Sequence, residues 1–203
     1  MPDVKLAVVY YSATGTIHAM AQRLVAAGEK AGAEVRLRQV PELAPQEAIA
    51  SNAGWSQHFD RTKDEPKATG DDIVWADAVL FGTPTRYGNV ASQLKQFIDT
   101  LGPQWQQGLL ADKAYAGFTA SQTAHGGQES TLLALYNIIY HWGGIIVPPG
   151  YTDVLKFADG NPYGVGHVTG GGNDAPLTDA VDAALDHLAT RVVTMAGRIK
   201  AGN

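Results

Sequence analysis

Two hydrophobic periods take turns along the chain. Leu6–Tyr11 (LAVVYY) is a nearly unbroken apolar run, the pattern of a strand buried on both faces. After Ser12-Ala13-Thr14-Gly15-Thr16, apolar positions Ile17, Met20, Ala21, Leu24 and Val25 recur at helical spacing, and Gly32 marks the end of that helix. Glu34–Arg38 alternates as a second strand. Strand, glycine-bearing turn, helix and strand predict a βαβ unit with parallel pairing and a right-handed crossover. The pattern then repeats. Ala78–Gly82 is a third strand, and Ala91, Leu94, Phe97, Ile98 and Leu101 mark the helix after it. Lys113–Ala120 is a fourth strand, Glu129–Trp142 a helix and Ile145–Val147 a fifth strand. Leu177–Lys200 closes the chain as an amphipathic helix. Thr178 suits its cap, Asp179 and Asp182 its positive end, and Arg198 and Lys200 its negative end. The expected fold is α/β: a doubly wound, five-stranded parallel sheet with helices on both faces. Residues 42–72 and 148–176, rich in Pro, Gly, Asn and Asp, are expected as irregular segments of the functional or interfacial kind, with Asp71-Asp72 as a helix start.

Composition narrows the chemistry. The 203 residues suit one core and read as a single domain spanning 1–203. A net charge of −5 argues against nucleic-acid binding, which calls for a basic patch. There is no cysteine, so disulfides, thiolate catalysis and iron–sulfur ligation are excluded and redox chemistry needs a bound cofactor. No long apolar segment or cleavage site is visible. The expectation is a cytoplasmic protein without membrane insertion.

The loops at strand ends hold the candidate chemistry. In Ser12-Ala13-Thr14-Gly15-Thr16, three hydroxyls, a glycine and free N–H groups meet the positive end of a helix dipole, a setting for a phosphate monoester. The loop lacks the lysine of a nucleotide-hydrolysing P-loop and the GxGxxG spacing of a dinucleotide fold. Simple helix capping also accounts for these residues in isolation. Thr83-Pro84-Thr85-Arg86-Tyr87-Gly88-Asn89 and Ser121-Gln122-Thr123-Ala124-His125-Gly126-Gly127 are expected at the same sheet edge, where doubly wound sheets bind ligands. Turn chemistry alone explains either loop. Together they offer an aromatic ring, a guanidinium, an imidazole and flexible backbone, an inventory suited to a flat, polar-edged ring system such as a flavin.

VVYYSATGT resembles the FMN-phosphate fingerprint of flavodoxins. With FGTPTRYGN and HGGQE in this order, nearly the whole chain resembles the tetrameric NAD(P)H:quinone oxidoreductases of the tryptophan-repressor-binding (WrbA) type. That resemblance implies a flavodoxin-like fold, FMN as cofactor and NAD(P)H as co-substrate, with two-electron reduction of a quinone by a ping-pong mechanism. It implies that Ser12, Ala13, Thr14, Gly15, Thr16 and Ile17 cradle the phosphate. Thr83 and Pro84 would shape the turn, while Thr85, Arg86 and Tyr87 line the ring. Ser121, Gln122, Thr123, Ala124, His125 and Gly126 would wrap phosphate and ring edge. His141 would lie beside the flavin, and Trp105 would wall the substrate pocket from a neighbouring subunit. Thr14 stands where known members carry an aromatic, a departure toward ordinary flavodoxins.

Arg86 is a candidate for stabilising negative charge on the reduced ring, and His141 for donating a hydrogen bond or proton to a quinone oxygen. A surface ion pair and a helix-end histidine are their plain alternatives. His18, His58, His167 and His187 show no metal-ligand spacing. Leu132–Tyr140 is apolar nearly all round, which implies cover on several sides; association into a homo-oligomer, dimer or tetramer, would supply it, and burial in the core of one chain is the alternative. A flavodoxin-type carrier of single electrons between proteins is the alternative activity. A scaffold with a structural flavin is a third reading.

Overall fold

In a computed structural model the chain is described over residues 3–202. Its elements are β1 (Val4–Tyr10), α1 (Thr16–Lys30), β2 (Ala33–Gln39), α2 (Gln46–Ala50), α3 (Ala53–Thr62), α4 (Gly70–Trp75), β3 (Ala78–Pro84) and α5 (Ser92–Asp99). After these come α6 (Gly102–Gln106), β4 (Ala114–Ser121), α7 (Gln128–Trp142), β5 (Ile145–Ile146), α8 (Lys156–Asp159), β6 (Val165–Val168) and α9 (Asp179–Gly202). The strands form one parallel sheet in the order β2-β1-β3-β4-β5, with β6 also paired to β4.

Side-chain alternation in the buried strands builds two cores. In β1, Val4, Leu6, Val8 and Tyr10 face one way and pack with α1 and α9. Ala7 and Val9 face the other way, and with Tyr11 just beyond the strand they pack with α4, α5 and α7. This is why β1 is apolar beyond Lys5, at its start: helices cover both of its faces. Gly32 ends the α1–β2 crossover at φ +88°, as its place after the helix predicts. Thr178 Oγ1 accepts from Val181 N–H at 3.3 Å at the start of α9, and Asp72 completes a capping box with Thr69 at the start of α4.

Two expectations need correction. Residues 42–72 are not irregular: they hold α2, α3 and α4. α3 buries only His58 and Thr62, too little for an apolar stripe, and is started by Asn52, whose side chain accepts from Trp55 N–H. The segment 148–176 likewise contains α8 and β6. The fifth strand position is split. β5 pairs with Ala114 and Tyr115 at the start of β4, whereas β6 pairs with Phe118–Ser121 at its end. Between them the chain loops out and returns, closed by a buried ion pair in which Lys156 Nζ lies 2.5 Å from Asp159 Oδ2 and donates to Gly164 O. Among the described residues, no helix is long and apolar enough to cross a membrane.

Candidate active site

The loop leaving β1 is shaped by its own side chains. Ser12 Oγ accepts the Gly15 N–H at 3.1 Å, which turns the chain so that Gly15 becomes the residue preceding α1. Gly15 sits at φ +109°, a region that disfavours residues with a Cβ. No side chain caps α1, a 15-residue helix without an acidic residue in its first turn. Its opening N–H groups therefore stay available to an outside anion, with the helix dipole behind them.

That opening faces a cavity of about 440 Å³, within the usual size range of small-molecule sites. One wall is Ser12, Ala13, Thr14, Thr16 and Ile17. A second is Pro84, Thr85 and Arg86 from the end of β3, and a third is Ala120, Ser121, Gln122, Thr123 and Gly126 from the end of β4. The site lies where β1 and β3 send their crossovers to opposite sides, the point at which such sheets bind ligands. Thr169 and Asn173, beyond β6, close the remaining side. They were not expected from the sequence, because four residues of β6 between glycines give almost no strand pattern; the glycine-rich stretch itself was the only signal.

Internal bonds set the shape of the walls. Arg86 and Asn89 exchange backbone hydrogen bonds of 2.8 and 3.1 Å across Tyr87 and Gly88, at φ +55° and +77°. This tight turn throws the Tyr87 ring into solvent. Thr85 Oγ1 accepts from Gly88 N–H and from Thr131 Oγ1. In the third wall, Ser121 Oγ donates to Thr123 O at 2.7 Å and accepts from Gln128 Nε2 at 2.8 Å.

Not every expected residue meets the cavity. Thr83 is fully buried, donating to Pro84 O and accepting from Ala91 N–H, so it shapes the turn. Tyr87 lines a neighbouring depression with Arg86, Asn89, Tyr11 and Trp55. Ala124 borders a different cavity, with Gln128 and Asn161, and His125 is exposed. His141 and Trp105 share a separate hollow, where Trp105 Nε1 donates to His141 O at 2.9 Å. α7 begins at the cavity and runs away from it, so at 1.5 Å per residue His141 stands about 20 Å along the helix from Gln128.

Two polar clusters brace the first loop from behind. Glu42 accepts from Tyr11 Oη (2.8 Å), Trp55 Nε1 (3.0 Å), Gln93 Nε2 (2.7 Å) and the N–H groups of Leu43 and Ala44. Burial opposes its ionised form, but the bonds from Ala44, Gln93, Tyr11 and Trp55 together outweigh this and hold the carboxyl below its ordinary range. On the other side, Tyr10 Oη donates to Glu65 Oε2 at 2.6 Å. Its only proton is thus committed, and His18 Nδ1–H donates to the Tyr10 oxygen at 2.7 Å. Burial and the Glu65 carboxylate push the Tyr10 hydroxyl well above its ordinary pKa. Burial, chiefly, pushes His18 down.

The donor set fits FMN: an uncapped helix start with hydroxyls and a glycine that no Cβ occupies for the phosphate, and a wider end with Arg86 for the ring. The fold is flavodoxin-like, and its site has the donor set that suits a mononucleotide. The model of the NADPH-dependent FMN reductase family matches residues 4–158. The chain belongs to that family. It is 46% identical over 197 residues to a Deinococcus radiodurans protein called NAD(P)H dehydrogenase (quinone), covering 97% of each chain. A Geobacter sulfurreducens protein of the same name is 42% identical over 172 residues, covering 81% of this chain and 83% of its own. Among solved structures, a flavodoxin, WrbA-like protein from Agrobacterium tumefaciens superposes with a TM-score of 0.66 at 22% identity, covering 97% of this chain and 99% of that one.

Proposed function

We propose that the chain is an FMN-dependent NAD(P)H:quinone oxidoreductase formed by one domain over residues 1–203. The observation that carries this reading is the cavity of about 440 Å³ at the strand ends, which brings together the loop at the uncapped start of α1 and the Arg86 side chain. The names of its relatives support the same substrates.

In this reading Ser12–Ile17 hold the phosphate through N–H groups and hydroxyls. Pro84, Thr85 and Arg86 face Ser121–Thr123 and Gly126 across the ring. Bound FMN supplies reversible acceptance of a hydride equivalent. Arg86 places a fixed positive charge where negative charge would accumulate on reduction. Nicotinamide nucleotide and quinone would take turns at this one cavity, which gives ping-pong kinetics. His141 and Trp105 stand too far from the cavity of their own chain to take part there. We place them against the cavity of a second copy in a dimer or tetramer, where the exposed Leu133 and Tyr140 of α7 and Trp105 supply apolar contact area. His141 then donates a hydrogen bond or proton to a quinone oxygen, and Trp105 walls the pocket.

The test is direct. Purified protein carries a yellow chromophore released as FMN; NADH or NADPH bleaches it, and benzoquinone restores the colour without a protein partner. Protein that binds no FMN overturns the proposal. Bleaching that requires a partner reductase replaces it with the single-electron carrier.

A further inference from the structure

His58 occupies a place that the flavin site does not explain. It comes from α3, is only 3% exposed, and its Nε2 is buried without a partner in the protein. Its Nδ1 lies 3.4 Å from the point where a side chain on Gly15 would begin, so the ring stands directly against the phosphate loop. Buried imidazoles ordinarily have hydrogen-bond partners, and one that lacks them beside an anion site calls for a reason.

The charge inventory of the loop supplies one. Among the described residues, Arg86 is the one cationic side chain lining the cavity, and it belongs to the wall after β3. The phosphate end offers only N–H groups and hydroxyls to a dianion. Behind Gly15 stand two imidazoles, His58 and, from α1, His18, with ring centroids 5.3 Å apart and edge to face. His18 Nδ1 is engaged by Tyr10, whose hydroxyl serves Glu65. Arg61 lies on the same helix as His58. Lys63, Lys67 and Glu42 share with it a cavity of about 230 Å³ that meets the main one at Ser12. Glu42 is fully engaged by its own donors, and Lys67 by Gln39 and Thr62 O. Burial first, then His18 and Arg61, hold His58 neutral, down to about 4, with Glu65 opposing. A dianion seated on Gly15 reverses that balance.

We propose that His58 is a positioning residue for the flavin phosphate: its imidazole takes one proton from solvent as the dianion settles on the Ser12–Ile17 loop, so that cofactor retention strengthens as pH falls. This rests on the FMN reading. Because the neutral ring is stable when the loop is empty and the charged ring when it is filled, each FMN bound draws in a proton wherever the pH lies between the two pKa values.

The experiment is titration of FMN-stripped protein with FMN, followed by quenching of flavin fluorescence, for the natural chain and for His58→Gln and His58→Phe. The ratio of variant to natural Kd cancels the ionisation of the ligand's own phosphate. It is expected to be close to one in weak base and to rise as pH falls, by up to roughly tenfold per pH unit inside the window. Riboflavin, which has no phosphate, gives a flat ratio. NMR of the natural protein, independent of how the variants fold, places the His58 pKa higher with FMN than without. A ratio that stays flat with pH, or an imidazole pKa unmoved by FMN, overturns the proposal. A natural chain that binds no FMN at any pH instead overturns the flavin reading beneath it.

Discussion

Replacing Gly15 by alanine tests whether the conformation of the first loop is what an anion recognises. The residue sits at φ +109° and ψ −19°, a combination open to glycine and strained for any residue with a Cβ. The added methyl meets His58 Nδ1 at 3.4 Å, which is ordinary contact, so backbone strain decides the outcome and not collision. Such strain amounts to about 1–3 kcal/mol. In the empty protein the loop can relax by releasing the Ser12 Oγ to Gly15 N–H bond. Binding the phosphate then has to restore the strained geometry. The whole penalty appears in affinity, raising the FMN Kd by about 5- to 150-fold, since 1.4 kcal/mol is a factor of ten. Valine, stiffer at its Cβ, should do worse than alanine. Fluorescence quenching gives the Kd, and circular dichroism checks the fold. Riboflavin affinity should move much less, because the strain lies at the phosphate end. An alanine variant with the natural Kd for FMN refutes the reasoning: the left-handed turn would then have no part in holding phosphate.

Further outcomes follow from the bracing groups. Glu42→Gln removes a carboxylate that accepts five hydrogen bonds, and should cost about 1–3 kcal/mol near neutrality. Because the folded carboxyl is held below its ordinary range, the natural stabilisation is complete above the unfolded pKa and lost as pH falls through the folded one. Urea denaturation should therefore show the deficit shrinking in acid, and a deficit independent of pH counts against the bonding described. Lys156→Met leaves Asp159 buried and unpaired, at about 3–5 kcal/mol, and the double change with Asp159→Leu should recover much of it; denaturation curves of both variants decide this. Trp105→Ala should raise the quinone KM while leaving the FMN Kd unchanged, as steady-state kinetics and flavin titration will show. A change in FMN affinity instead would tie Trp105 to the cofactor.

What the sequence disclosed depended on how each segment is held. β1, β3 and β4 are covered on both faces and read as apolar runs, and α1 and α9 carry full stripes against the sheet. α3 is held by an Asn52 cap and by Trp55 bonding Glu42, interactions that leave no period in the sequence; Ser51-Asn52 was its readable start signal. β6 is four residues long and takes its place only by pairing with β4. The site was legible at the loops after β1, β3 and β4 because their composition is unusual for turns. Backbone geometry was not legible, so Tyr87 was expected at the ring although a φ of +55° turns it outward. His58 has no metal-ligand spacing or motif to mark it in the sequence. Its nearness to Gly15 depends on a helix the sequence did not reveal.

The division of the fifth strand has a consequence for assembly. The first half zips onto the base of β4 directly after α7, within a short stretch of chain. The second half, together with Thr169 and Asn173, meets the top of β4 after an excursion of the chain that is closed around Lys156. Three walls of the pocket are therefore carried by the loops after the central strands β1, β3 and β4, while the fourth depends on the pairing of β6 with one strand, β4.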